Sequence, residues 1–154
     1  MIHKNSGSDF KRVVVGIDGS ANSNAALHWA WEFSKKQGAH LEVVWAWQIG
    51  FPSLELASIG YGMDVEEMKV KPARIAQYQL DKEMKDVFGD PHPTGVLAST
   101  QEGYPALVLI EKSKGADLLV LGNRGHSPIV ETLIGSVSAH CIANAECPVV
   151  VIKK

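Results

Sequence analysis

The residues best placed to do chemistry are glycines at fixed spacing. Gly122-Asn123-Arg124-Gly125 follows an apolar run, nine residues (126–134) intervene, and Gly135-Ser136 opens the next segment. Glycine permits positive φ and leaves no Cβ between an incoming oxygen and the main-chain N–H groups, so such a loop suits phosphate. A helix starting at Gly135-Ser136 would add unpaired amides and the positive end of its macrodipole, with the Ser136 hydroxyl beside them. Within the loop, Arg124 is a candidate charge-assisted donor and His126 a further one. The bland alternative, that Gly135 only allows close helix packing, is opposed by the two glycines upstream of it. A second cluster, Gly16-Ile17-Asp18-Gly19-Ser20, also follows directly on an apolar run.

Other chemistries lack support. The six histidines are scattered without metal-ligand spacing, so a protein-built zinc site is not expected. There is no GxxxxGK[ST] loop, no GxGxxG fingerprint and no GxSxG elbow. Cys141 and Cys147 have no Cys-x-x-Cys arrangement and read as free, partly buried thiols in a reducing compartment.

The elements that must position these clusters can be read from periodicity. Residues 12–17 form a continuous apolar strand. Ala26, Trp29, Ala30 and Phe33 then define one face of a helix closed by Gly38. A strand at 41–47 is followed by an aperiodic excursion over 48–62, which could close over a pocket. Pro72 opens a helix that ends at Phe88-Gly89; a strand at 96–100 and a helix at 104–112 come next. A strand at 118–121, a helix at 136–145 and a last strand, Val149–Ile152, complete the chain. Ser127-Pro128 competes as a helix start, but Gly135 would then sit inside a helix at a cost of about 1 kcal/mol, so a short turn over 128–133 is expected instead. Trp45 and Trp47 share one sheet face, and most of the four tryptophans are expected to pack in the core or on a sheet face. Strict βα alternation with apolar strands predicts an α/β three-layer sandwich, a doubly wound parallel sheet whose ligands bind at a reversal of winding.

Composition fits one soluble domain: 154 residues, 45% apolar and 21% charged. A formal charge of -2 provides no field for a polyanion, so nucleic acid is not an expected partner. No apolar run reaches the ~20 residues of a membrane span. Residues 1–9 (MIHKNSGSD) read as a disordered tail, residues 10–154 as the folded domain, and cytoplasm is the expected location.

Three stretches, VVVGIDGS, GADLLVLGNRGHS and IGSVSAHCIANAECPVVVIK, together resemble the universal stress proteins, from about Arg12 to Lys153. The resemblance implies a Rossmann-like fold of the adenine nucleotide alpha hydrolase type, strand order 3-2-1-4-5, and ATP or another adenine nucleotide as ligand. It implies that Gly16, Ile17 and Asp18 meet ribose and adenine, and that Ala46 offers main-chain groups to the adenine edge. Gly122, Asn123, Arg124 and Gly125, with His126 and Ser127 beside them, would line ribose and phosphates, and Gly135, Ser136 and Val137 would hold the phosphates. Asp18 is expected to accept from adenine or cap the following turn rather than ligate metal, with any Mg²⁺ carried by the phosphates. A homodimer through the edge strand Val149–Ile152 is implied as well, protecting an apolar edge that Lys153 and Lys154 alone would otherwise guard. The leading reading is a nucleotide-dependent regulatory module whose 122–135 loop is ordered by its ligand. Slow ATP hydrolysis or self-phosphorylation through Ser127, Ser136 or Ser138, and a scaffold with a vestigial pocket, are the alternatives.

Overall fold

The structure is a computed structural model that describes residues 10–48, 72–125 and 134–154. The tail at 1–9, the excursion over 49–62, the turn at 128–133, and His126 and Ser127 lie outside those residues. Five strands, β1 (Arg12–Ile17), β2 (His40–Trp47), β3 (Val96–Glu102), β4 (Leu118–Gly122) and β5 (Val149–Ile152), form one sheet of order β3-β2-β1-β4-β5. Every pairing is parallel, with Val15 opposite Val43 on one side and Val120 on the other. The helices are α1 (Ala21–Gln37), α2 (Pro72–Phe88), α3 (Pro105–Ser113) and α4 (Ser136–Asn144).

Side-chain alternation divides the core in two. Val13, Val15, Leu41, Val43 and Val120 point to one face, where Ala26, Leu27 and Ala30 of α1 and Leu80 and Met84 of α2 cover them. Val14, Val44, Leu119 and Leu121 point to the other, under Ala106 and Leu109 of α3 and Cys141 of α4. β1 is therefore apolar from Val13 to Ile17 because it is covered twice. Burial pushes the Cys141 thiol up to about 11, in keeping with a packing role.

Local signals set the helix ends. The Ser20 side chain accepts from Ser23 N at 3.2 Å as the N-cap of α1, and Gly38, at φ 67°, ends that helix in the left-handed region. Pro105 occupies the first turn of α3, where its missing N–H leaves no intrahelical bond unmade.

The buried stripe of α1 differs from the expected one. It runs Ser23, Ala26, Leu27, Ala30, Ser34, and small side chains there let the helix lie close on the sheet. Trp29 and Phe33 are consequently displaced to the flank, where they stack at 5.2 Å with Phe10 set edge-on to Phe33. Of the tryptophans, Trp31 and Trp45 pack half-buried against this core, whereas Trp29 is exposed.

The lower end of the sheet is tied by charge. Asp117 accepts from the amides of Lys11 and Arg12 at 2.8 Å, and Glu42 from Arg12 and Lys112, both at 2.7 Å. Burial pushes the Glu42 carboxyl up, but the hydrogen bonds from Lys112 and Arg12 outweigh it and hold the group below the ordinary glutamate value. The Arg12 and Lys11 amides do the same for Asp117. Both groups therefore stabilise the fold above their unfolded values, and that stabilisation disappears as pH falls through the lowered folded ones. We expect the unfolding midpoint to decline below about pH 4.5. Combining Glu42→Gln with Asp117→Asn should flatten the decline, and an unchanged profile in that variant would contradict the assignment.

Candidate functional site

The winding reverses between β1 and β4, since the chain proceeds from β1 to β2 and β3 on one side and from β4 to β5 on the other. Loops diverge at the carboxyl ends of those two strands, and a crevice of about 560 Å³ opens there. Of the residues singled out by sequence, Gly16, Ile17, Asp18, Ala46, Gly122, Arg124, Gly125, Gly135, Ser136 and Val137 line it. Asn123 does not. Its amide donates to Ile152 O at 2.8 Å and its carbonyl accepts from Gly135 N at 2.7 Å, so it joins the loop to β5 and to the start of α4.

The glycines act through close approach rather than through positive φ. Gly16, Gly122, Gly125 and Gly135 are all absent from the positive-φ glycines of the described residues, which corrects that part of the sequence reading. A Cβ on Gly122 would lie 2.7–2.8 Å from the backbone of Asn22 and Ser23, and one on Gly125 would run into the Asp18 carboxylate. A Cβ on Gly135 would stand 3.1 Å from Asn123 O. These three positions let the start of α1, the β1–α1 turn and the loop after β4 pack against one another. What faces the crevice is the main chain they bring together.

Asp18 organises the turn. Its Oδ1 accepts from Ser20 N at 2.9 Å, its amide donates to Ser23 Oγ at 3.3 Å, and the Ser20 hydroxyl reaches Arg124 O at 3.4 Å. Opposite, Ser138 donates to Gly122 O at 2.7 Å and fixes the first turn of α4 to the end of β4. The N-cap of α4 is Gly135, which offers no side-chain oxygen, and the first turn carries no acidic residue. The amides of Ser136 and Val137 thus remain free of side-chain capping at the positive end of a helix that borders the crevice.

The rest of the wall is apolar. Val44, Pro105, Leu109 and Leu121 form it, and the sequence reading missed all four because a helix or strand residue facing a cleft has the same periodicity as one facing the core. It also missed Ser23, whereas Ser138, named above as a candidate hydroxyl, does line the crevice. The arrangement sets this apolar wall in the same crevice as the main chain of the glycine loop and Arg124. Asp18 is the acidic side chain of the lining, and its hydrogen bond to Ser20 commits it to the turn. Among the described residues no His, Cys, Asp and Glu cluster could hold a metal ion, and no helix is long and apolar enough to cross a membrane.

Comparison with known proteins gives a consistent result. The sequence profile of the Universal stress protein family matches residues 9–153. A universal stress protein of Mycolicibacterium smegmatis is 32% identical over 141 residues, covering 91% of this chain but 47% of that protein, so the chain spans about half of its length. One from Methanocaldococcus jannaschii is 30% identical over 155 residues, covering 99% of this chain and 88% of that one. Among solved structures, a universal stress protein in complex with cAMP superposes with a TM-score of 0.57 at 26% identity, over 93% of this chain and 96% of that chain.

Proposed function

Because the chain belongs to the universal stress protein family, we propose that it is an adenine-nucleotide-binding regulatory module, with ATP as its principal ligand. The observation that carries this reading is the uncapped start of α4, with Gly135, Ser136 and Val137 bordering a crevice that is also walled by Val44, Leu109 and Leu121. A volume of about 560 Å³ lies in the usual range for a small-molecule site. Adenine takes the apolar slot, with the main chain near Ala46 at its edge, and the phosphates take the α4 amides and Arg124. Mg²⁺ rides on the phosphates. That a relative at 26% identity forms a complex with cyclic AMP supports an adenine nucleotide as the ligand. The protein acts in the cytoplasm as a homodimer, in which β5, an edge strand of half-buried valines and isoleucine, pairs with its symmetry mate.

Calorimetric titration with ATP, AMP and cyclic AMP tests the proposal. Ligand at about 100 times Kd adds about 2.7 kcal/mol to stability. In a domain of this size that raises the unfolding midpoint by about 5–10 °C. Folded protein that gives neither heat nor a midpoint shift with millimolar nucleotide would remove the proposal.

A further inference from the structure

Glu83 is an anomaly on the face of the sheet opposite the crevice wall. It lies on α2 beside Leu80 and Met84, its relative exposure is 8%, and among the described residues no hydrogen bond or ion pair reaches it. Its stem is covered while the carboxylate oxygens keep contact with solvent, since neither is among the buried side-chain polar atoms that lack a partner in the described residues. Its position gives a reason for it. A Cβ on Gly19 would lie 3.5 Å from Glu83 Oε1 and 3.2 Å from Trp45 Cη2, so the carboxylate stands directly behind the Gly19 turn. Gly19 immediately precedes Ser20, the N-cap of α1. That helix has 17 residues and no acid in its own first turn, so Glu83 occupies its positive end from another element. The same end borders the crevice through Ser23, and Asp18, one peptide away from Gly19, lines it too.

We propose that Glu83 is a specificity-determining residue of the nucleotide site. Its carboxylate offsets the N-terminal field of α1 from behind, and so lowers affinity in step with the ligand's negative charge. The inference rests on the nucleotide reading above. Glu83 touches no ligand; it acts at a distance, through the charge it sets behind the Gly19 turn.

The test is calorimetry with adenosine, AMP and ATP, without divalent metal and at low ionic strength, on the wild type, Glu83→Gln and Glu83→Met. Neutralising the carboxylate should leave adenosine within about twofold, tighten AMP about threefold and ATP about tenfold, with the gain shrinking at high salt. Both variants remove the charge, one keeping hydrogen-bonding capacity and the other not, so both must show the gradient. An equal change for adenosine and ATP, a gradient in only one variant, or no change in either would overturn the inference. Wild-type protein that binds none of the three ligands would instead remove the nucleotide reading and this inference with it. The unfolding midpoint of each variant, measured alongside, separates a loss of folded protein from a change in affinity.

Discussion

Gly122→Ala is expected to lower the thermal unfolding midpoint by about 6–10 °C and to abolish nucleotide binding. The added Cβ would lie 2.7 Å from Asn22 C and 2.8 Å from both Asn22 O and Ser23 N. None of those atoms belongs to a side chain that can rotate away. Relief requires α1 to withdraw from β4, and α1 is the helix whose small buried stripe depends on lying close to the sheet. Overpacking of this kind costs about 1–3 kcal/mol, and the upper figure applies where backbone must move. The same displacement disturbs Gly122 O, which accepts from Ser138, and so loosens the first turn of α4. Gly135→Ala serves as the comparison, since its Cβ would meet Asn123 O at 3.1 Å, a gap that a few tenths of an ångström would relieve. Its midpoint should fall by no more than about 3 °C. Equal midpoints for the wild type and Gly122→Ala would show that α1 is free to shift, and the close-approach account would fail.

This contrast also explains how far the site could be read from sequence. The GxxG, nine residues, Gly-Ser spacing is visible because glycine is the one residue whose absence of a side chain can be seen in a sequence, and it located the crevice correctly between β1 and β4. The reason for the glycines was not visible. Whether a missing Cβ makes room for a ligand or for another stretch of protein depends on what lies opposite, and Asn22, Asp18 and Asn123 come opposite only through the tertiary fold. The strands were legible for a similar reason: β1 from Val13 onward and β4 are apolar because both faces are covered, and Val149–Ile152 matches its expected bounds. The burial of α1 was less so. Ala26 and Ala30 fit two overlapping helical stripes, one including Trp29 and Phe33 and one including Leu27 and Ser34, and only packing against the sheet selects the second. Glu83 had no signal at all, since an acidic residue in an amphipathic helix is ordinarily solvated.

Gly16→Ala should separate binding from stability, because its obstacle is of a different kind. A Cβ there would lie 2.7 and 2.9 Å from Leu109 Cδ1 and Cδ2 and 3.1 Å from Leu121 Cδ2, all at the ends of flexible side chains. Leu109 must turn, and its surroundings decide the direction. On the core side it packs with Val14, Ala106 and Cys141, which are at most 0% exposed, whereas the crevice it borders is open. The methyl groups therefore move into the slot assigned to adenine. A leucine held off its preferred rotamer costs about 0.5–1.5 kcal/mol, so the midpoint should fall by only a few degrees. Nucleotide affinity should fall by at least about tenfold, since a methylene-sized intrusion into a fitted apolar site is worth about 1–3 kcal/mol. Combining Gly16→Ala with Leu109→Ala restores the space, and affinity should return most of the way even though Leu109→Ala alone costs stability. Leu109→Ala thus restores binding to the Gly16→Ala protein while lowering its stability, a pattern that general disruption of the fold cannot produce. Affinity in Gly16→Ala equal to that of the wild type would place the adenine away from Leu109 and require a different orientation of the nucleotide in the crevice.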